Sequence, residues 1–151
     1  MNHLSASDHE IDDFIRLRKL NRHLLILIDS DKSTPHSRIN STKRRVKGEL
    51  EQDTSGFVWI TDCRMIENYV PLRIFAASVS AVSSATLKYA GGRWEHPFEN
   101  SGRVTIDKIK LAHAVCDAWD ESTELLYDLR RRLWVTIRFI RDANGLDSDG
   151  N

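Results

Sequence analysis

Residues 24–32 read LLILIDSDK, so an uninterrupted apolar run passes directly into an Asp-x-Asp pair. A short apolar run bounded by polar segments is typical of a strand buried on both faces, and such strands belong to parallel sheets covered by helices. The run is far too short to cross a bilayer, and no membrane partner is predicted from it. This segment therefore predicts an α/β fold.

The segments on either side of this strand alternate between helical and strand patterns. A capping box at Ser7 and Glu10 predicts a helix over residues 8–21. A helix over residues 39–52 and a second strand over 57–60 would complete one right-handed βαβ unit. Three further helices are predicted, starting at Pro71, at residue 105 or 106, and at Ser122, and the last two would form a helical hairpin. The pattern of residues 85–104 predicts an irregular loop that could include a short hairpin. We expect residues 1–145 to form one partial domain and residues 146–151 to form a flexible tail.

The charge balance of the whole chain does not indicate a nucleic-acid-binding protein. Lysine and arginine total 22, aspartate and glutamate total 22, and the formal net charge is zero. One local stretch is basic, and there Arg44, Arg45 and Lys47 could contact a DNA backbone, although charge alone favours a solvated helix. The two cysteines, Cys63 and Cys116, have no disulfide or metal spacing, which predicts a reducing, cytoplasmic setting.

Acidic residues follow both predicted strands at the point where each strand ends. Asp29 and Asp31 come directly after the first strand, and the loop from Asp62 to Glu67 follows the second. Ligands of open parallel sheets gather at the carboxyl ends of the strands, and paired carboxylates suit Mg²⁺ or Mn²⁺. The alternatives are a polar turn for the aspartate pair and, for Glu67, a helix-terminal acid favoured by the helix dipole. Without family knowledge, the helix-terminal role is the favoured interpretation of Glu67.

These residues also stand in an order that resembles a known family. The motifs are LIDSDK at 27–32, WITDCRMIENY at 59–69, DKIKLA at 107–112 and IRDAN at 140–144. Over roughly residues 24–144 they resemble the Toprim region of overcoming-lysogenization-defect (OLD)-like endonucleases. The resemblance implies a Rossmann-like Toprim sheet that follows an ABC-type ATPase, with metal-assisted phosphodiester cleavage of DNA and a role in defence against phage.

The resemblance also implies roles for individual residues. Asp29 and Asp31 match the metal-binding Asp-x-Asp pair, Asp31 being also a catalytic residue, and Glu67 matches the second glutamate of an Arg-Glu-Ile-Glu-Asn-Tyr segment. Met65 stands where the first glutamate of that segment usually stands, and a thioether is a poor ligand for Mg²⁺. Lys108 matches the catalytic lysine. Helical spacing supports Lys108 over Lys110, because it places Lys108 with apolar neighbours. On spacing alone, however, the favoured interpretation is that the Lys108 stem simply covers apolar surface.

One departure from the family pattern concerns what precedes the first strand. Toprim domains begin with a strand that leads into a glutamate, and no such strand pattern precedes Asp8. We therefore expect the metal-binding glutamate and the ATPase to be missing from this chain. The main alternative to a nuclease is a catalytically inactive interaction module, or a truncated remnant, that binds an ATPase partner or another copy of itself. A phosphoacceptor-type regulator is a third interpretation, but it predicts a fuller βα alternation.

Overall fold

The structure is a computed structural model, and it describes residues 23–52, 56–99 and 105–146. The helix predicted over 8–21, residues 147–151 of the predicted tail and residues 100–104 of the predicted loop lie outside this range. The described elements are β1 (Leu24–Ile28), α1 (Ser41–Leu50), β2 (Gly56–Ile60), a 3₁₀ helix (Ile66–Tyr69), α2 (Leu72–Val82), α3 (Lys108–Ala118) and α4 (Leu129–Ala143). The described part is thus a mixed α/β fold, with two strands and four α-helices. The chain forms two compact units.

The first unit contains the sheet, α1 and residues 131 onward of α4. β1 and β2 pair in parallel with Leu24 opposite Gly56 and Ile28 opposite Ile60. The backbone N–H of Thr61 continues the ladder by donating to the Ile28 carbonyl at 3.0 Å. Both predicted strands and the connecting helix are confirmed.

One face of this sheet forms the core of the first unit. Ile26 and Ile28 of β1 pack with Val58 and Ile60 of β2 and with buried residues of α1. Leu27 is 41 % exposed, so the expectation that the first strand is buried on both faces is wrong. The physical reason is the alternation of side chains along a strand, which turns Leu27 away from the face that α1 covers.

Local chemistry sets the limits of α1. The helix begins at Ser41 because the Asn40 side-chain oxygen accepts the Lys43 N–H at 2.8 Å, which satisfies one of the unpaired donors of the first turn. After the helix, the chain enters β2 at Gly56, where an added Cβ would collide with the carbonyl oxygen of Leu50. Glycine at this position therefore allows the helix end and the strand to lie close together.

The second unit comprises residues 29–37 and 62–130, and its core lies between α2 and α3. Phe75, Val79, Tyr89 and Leu111 are buried together, with the rings of Phe75 and Tyr89 edge-to-face at 5.3 Å. α3 starts at Lys108 because the Asp107 carboxylate caps it by accepting the N–H groups of residues 109 and 110.

Three expectations about the C-terminal half need correction. No strand forms within residues 85–99, so the short hairpin is not found in that range. The expected hairpin of the last two helices is also wrong for α3, which packs on α2 because the two helices bury their apolar residues together. Ser122 does not begin the last helix. The Asp120 carboxylate accepts hydrogen bonds from Ser122 and Thr123 in a local turn, and α4 starts at Leu129.

Candidate functional site

The loops that follow β1 and β2 are joined by three hydrogen bonds within the second unit. The Asp31 N–H donates to the Arg64 carbonyl at 2.9 Å, and the Ser30 hydroxyl donates to the Cys63 carbonyl at 2.5 Å. The Ile66 N–H donates to the Asp29 carboxylate at 2.8 Å. The two acidic loops that the sequence predicted at one sheet edge are therefore neighbours in space.

Asp29 is a half-buried carboxylate in an acidic environment. Burial raises its pKa above the ordinary value of 3.8, and the negative charges of Glu67 and Asp31 act in the same direction. The hydrogen bond from Ile66 and the positive charge of Lys108 act in the opposite direction without cancelling the rise of the pKa. A second cation beside Asp29 would favour its ionised form.

Glu67 and Lys108 form an ion pair next to Asp29. The Glu67 side chain is only 16 % exposed, and its Oε1 accepts a hydrogen bond from Lys108 Nζ at 3.2 Å. In the described part of the chain, Glu67 Oε2 is buried and has no hydrogen-bond partner. Lys108 is 60 % exposed, and its ammonium also lies 4.8 Å from the centre of the Phe98 ring. Glu67 thus has a satisfied oxygen and a buried oxygen that lacks a donor.

Asp31 occupies a different environment from Asp29. Its φ angle is 55°, in the left-handed region, and its side chain is exposed. Across residues 23–52, 56–99 and 105–146, no three histidine, cysteine, aspartate or glutamate side chains converge as a metal-binding group. The structure therefore brings Glu67 and Lys108 into contact near Asp29, and it leaves Asp31 at the surface of the same loop.

Asn68 links the 3₁₀ helix to the loop that follows α2, a role that the sequence did not reveal. Its buried side chain accepts the Met65 N–H at 2.8 Å through Oδ1. Its Nδ2 donates to the carbonyls of Gly92 and Glu95, both at 2.9 Å, and lies 3.2 Å from the Tyr89 hydroxyl. Asn68 holds the backbone on which Glu67 stands.

Tyr69 supports the same backbone from the other side. Its hydroxyl donates to the Asp128 carboxylate at 2.5 Å and accepts the Asp62 N–H at 2.9 Å. We call the group formed by Asp29, Glu67 and Lys108 the acidic site. In the Glu-Asn-Tyr segment, Glu67 belongs to this site, and Asn68 and Tyr69 position it. Side-chain chemistry is the signal in the sequence that separates these roles, since an amide and a phenol can both donate and accept hydrogen bonds, whereas an ionised carboxylate accepts only.

Asp62 is engaged by Arg93, which the sequence analysis did not single out. The guanidinium of Arg93 forms an ion pair with the Asp62 carboxylate and donates through Nε to the Asp62 carbonyl at 2.6 Å. The same guanidinium lies 4.9 Å from the ring centres of both Trp94 and Tyr127. Asp62, the first acid of the second predicted cluster, is thus part of a packed ion pair.

A cavity of about 210 Å³ adjoins the Glu67–Lys108 pair. Its walls come from the 3₁₀ helix, α2 and α3, and they are mostly apolar. The cavity is lined by Ile66, Glu67, Val70, Phe75, Lys108, Leu111, Ala112, Val115 and Cys116. The apolar neighbours that helical spacing predicted for Lys108 therefore line a recess below its ammonium group.

The predicted DNA contacts lie on α1, in the unit that contains the sheet. Arg44, Arg45 and Lys47 are all exposed. Arg45 lies 3.7 Å from Glu49 and Lys47 lies 3.9 Å from Glu51, each one helical turn away. Pairs of this kind are typical of a solvated helix face, and they reduce the positive charge available to a phosphate.

No family model, no curated protein and no solved structure matches this chain. The resemblance to OLD-like endonucleases consequently rests on the sequence motifs quoted above. Among the described helices, none has the length and apolar content that crossing a membrane requires.

Proposed function

We propose that the acidic site of the second unit belongs to a Toprim-like nuclease module that cleaves phosphodiester bonds with Mg²⁺ or Mn²⁺. The observation that carries the proposal is Glu67, whose carboxylate is held by Lys108 at one oxygen while its other oxygen is buried without a donor among the described residues. An unpartnered buried carboxylate oxygen costs free energy, and a cation would offset that cost. The proposed module is of the kind that accompanies an ABC-type ATPase in OLD-like proteins.

The side chains of the site are of the type that a hard divalent cation prefers, but they are too few to complete its coordination. Asp29 and Glu67 supply carboxylate oxygens, and their two negative charges repel each other. A divalent cation bound beside them would reduce this repulsion. Asp31 is on the same loop as Asp29 and is the natural third ligand, although it does not converge with them in the described residues. A further carboxylate, which the resemblance assigns to a strand preceding β1, would complete the set.

The residues of the chain have separate roles in this proposal. Asp29, Asp31 and Glu67 would hold the cation, which when bound supplies Lewis acidity toward a phosphate oxygen. Lys108 would stabilise the negative charge that develops on the reacting phosphate, because its exposed ammonium stands next to Glu67. Asn68 and Tyr69 would keep Glu67 in position through their hydrogen bonds. DNA would be held through its backbone, with Arg44, Arg45 and Lys47 as candidate contacts.

A catalytically inactive interaction module is the second candidate, and two observations favour it. Lys108 already neutralises Glu67, so the pair can be a structural ion pair of the fold. Met65, which stands where the family has a glutamate, offers the site no carboxylate, and it precedes the 3₁₀ helix as its N-terminal flanking residue. In this candidate the module binds its ATPase partner without cleaving DNA.

Metal binding and plasmid nicking together separate the two candidates. Mn²⁺ binding is measured by isothermal titration calorimetry, and nicking of supercoiled plasmid is measured in Mg²⁺ and in Mn²⁺. The test variants are Asp31→Asn and Glu67→Gln, which keep the size of each side chain. The matched control is Asp117→Asn, because Asp117 is an exposed carboxylate on α3 outside the site.

The proposal predicts saturable Mn²⁺ binding that both test variants weaken by at least about tenfold, which corresponds to roughly 1.4 kcal/mol. The control should bind Mn²⁺ like the unaltered protein, and any nicking should follow the same order. Equal binding by all four proteins would refute the metal site. Site-specific binding without nicking, even after an upstream strand and an ATPase are supplied, would favour the inactive module.

A further inference from the structure

The cavity beside the Glu67–Lys108 pair lies within the second unit, because all of its wall residues fall in the range 66–116. Its volume of about 210 Å³ exceeds the roughly 150 Å³ of an engineered apolar cavity that accommodates benzene. In proportion, it can hold a molecule of about eight heavy atoms, which is smaller than a drug-sized ligand. We call it the α3 recess, after the wall residues that α3 contributes, Lys108, Leu111, Ala112, Val115 and Cys116.

The apolar part of the α3 recess belongs to the core of the second unit. Phe75 is fully buried, Leu111 is 3 % exposed, and Val115 packs against them. Ala112 and Cys116, one turn apart on α3, are exposed, so the recess is open to solvent along this helix. A ligand that enters there would transfer its apolar part from water onto core residues, which the hydrophobic effect favours.

The polar part of the recess requires a hydrogen-bond donor. The described wall residues include two charged ones, Glu67 and Lys108. Glu67 Oε1 accepts from Lys108 Nζ, whereas Glu67 Oε2 is buried and has no donor among the described residues. Because an ionised carboxylate only accepts hydrogen bonds, a ligand group beside Glu67 has to donate one. An anionic ligand would meet the Glu67 carboxylate with like charge.

A charged donor fits this carboxylate better than a neutral donor. An ammonium adds the attraction of opposite charges to the hydrogen bond, whereas a hydroxyl supplies the hydrogen bond only. Lys108 is 60 % exposed, and the negative charges of Asp29 and Glu67 repel each other despite its presence. We therefore propose that the α3 recess binds a small primary amine, with its apolar body against Phe75 and Leu111 and its ammonium beside Glu67.

The amine site goes beyond the proposed nuclease function, although both use Glu67. A divalent cation would be held by carboxylates alone, whereas the amine also needs the apolar wall of the recess. Ala112→Leu narrows the recess and leaves every carboxylate in place. Asp31→Asn alters the proposed metal ligands and leaves the wall in place, because Asp31 does not line the recess. These two variants therefore separate a failure of one proposal from a failure of the other.

The probe for the test is benzylamine, whose size matches the recess and whose amine is a cation at neutral pH. Benzyl alcohol has the same shape with a neutral donor, benzoate carries the ring with a negative charge, and methylamine carries the cation without the ring. Binding to the isotopically labelled full chain is followed by NMR chemical shifts. Mn²⁺ binding by the same proteins is followed by calorimetry.

The test variants change one wall feature at a time. Glu67→Gln removes the negative charge and keeps the size of the side chain, and Ala112→Leu fills part of the recess. Ala118→Leu is the matched control, because Ala118 is also an exposed alanine of α3 but does not line the recess. Since Ala112 and Ala118 are both exposed, thermal unfolding of these two variants should change little.

The proposal expects benzylamine to bind saturably with a Kd on the order of 1 mM. Benzyl alcohol, benzoate and methylamine should each bind at least about tenfold more weakly, and Glu67→Gln and Ala112→Leu should each weaken benzylamine binding by at least about tenfold. Ala118→Leu and Asp31→Asn should retain it within about twofold.

Three results would overturn the proposal: no saturable benzylamine binding, benzyl alcohol or benzoate binding as tightly as benzylamine, or benzylamine binding that Ala112→Leu leaves intact. Mn²⁺ binding that Asp31→Asn leaves intact, together with the expected pattern for benzylamine, would refute the metal site and support the amine site.

Discussion

Replacing Asn68 by aspartate tests how the backbone beneath the acidic site is held. The change preserves the shape of the side chain and the oxygen that accepts the Met65 N–H. It replaces the Nδ2 donor by a second oxygen, which then faces the carbonyl oxygens of Gly92 and Glu95. Among the described partners of Nδ2, only the hydroxyl of Tyr89, 3.2 Å away, can donate to that oxygen.

The magnitude follows from the two carbonyl bonds that are lost. The Gly92 carbonyl still accepts the Glu95 N–H at 3.2 Å, whereas the Glu95 carbonyl loses the donor that Asn68 supplies. Leaving one acceptor without its donor costs about 1–3 kcal/mol. The Asn68 side chain is fully buried, and an ionised carboxylate at this position adds a desolvation cost that the Tyr89 hydroxyl offsets only in part. We therefore expect Asn68→Asp to lower the free energy of unfolding by on the order of 3 kcal/mol at neutral pH. The loss should shrink in acid, where the protonated carboxyl regains one donor.

The assay is urea unfolding followed by tryptophan fluorescence and circular dichroism at neutral and acid pH. Asn40→Asp is the matched control, because in the described part of the chain the Asn40 side chain acts as an acceptor for the Lys43 N–H, and aspartate caps a helix about as well as asparagine. The control should change the free energy of unfolding by less than about 0.5 kcal/mol. If Asn68→Asp is as mild as the control, the account of Asn68 as the donor that joins these segments is wrong.

Three further predictions concern other parts of the structure. Asp29→Asn keeps the acceptor for the Ile66 N–H and removes a carboxylate whose pKa is raised by burial. The folded protein holds the Asp29 proton more tightly than the unfolded chain does, so the stability of the native protein falls as the pH rises from 3.8 through the raised pKa of Asp29. At neutral pH the urea midpoint of the variant should therefore be higher than that of the native protein. Below pH 3.8 the two urea midpoints should be equal. Cys116 is exposed, whereas Cys63 is buried and burial raises its pKa to about 12. A thiol-reactive dye should therefore label one thiol in the folded protein and two in urea. Rapid labelling of both thiols without urea would contradict this prediction. Gly56→Ala should lower the free energy of unfolding by about 1–3 kcal/mol in the same urea assay, and an unchanged midpoint would show that the close approach of backbone at Gly56 is not required.

The structure also explains how one short segment can serve both a site and its support. Along the 3₁₀ helix, successive side chains leave in different directions. Glu67 meets Lys108, Asn68 reaches the loop after α2, and Tyr69 reaches Asp128. A substitution at Asn68 or Tyr69 would therefore disturb the site through the backbone, and the proposed metal site predicts that any loss of metal binding accompanies a loss of stability. The same proposal predicts that a substitution at Glu67 weakens metal binding with a smaller change in stability.

Patterns of neighbouring residues were sufficient to predict the local elements of the fold. The apolar run from Leu24 to Ile28 became β1 over the predicted residues, and α1 and β2 followed close to their expected limits. These predictions succeed because strand and helix formation depend on apolar periodicity and capping, which short stretches of sequence contain. The position of acidic loops at the ends of both strands follows from chain direction alone, since parallel strands end at the same edge.

Tertiary structure alone determined which distant residues meet and which of their charged groups are buried. Nothing in the local pattern joins Lys108 to Glu67, Arg93 to Asp62 or Tyr69 to Asp128, because each contact depends on how separate segments pack. Packing also placed α3 on α2 and left the apolar side of α4 exposed. Burial is likewise a property of the assembled unit. It is burial that raises the pKa of Asp29 and that leaves one oxygen of Glu67 without a donor in the described part of the chain.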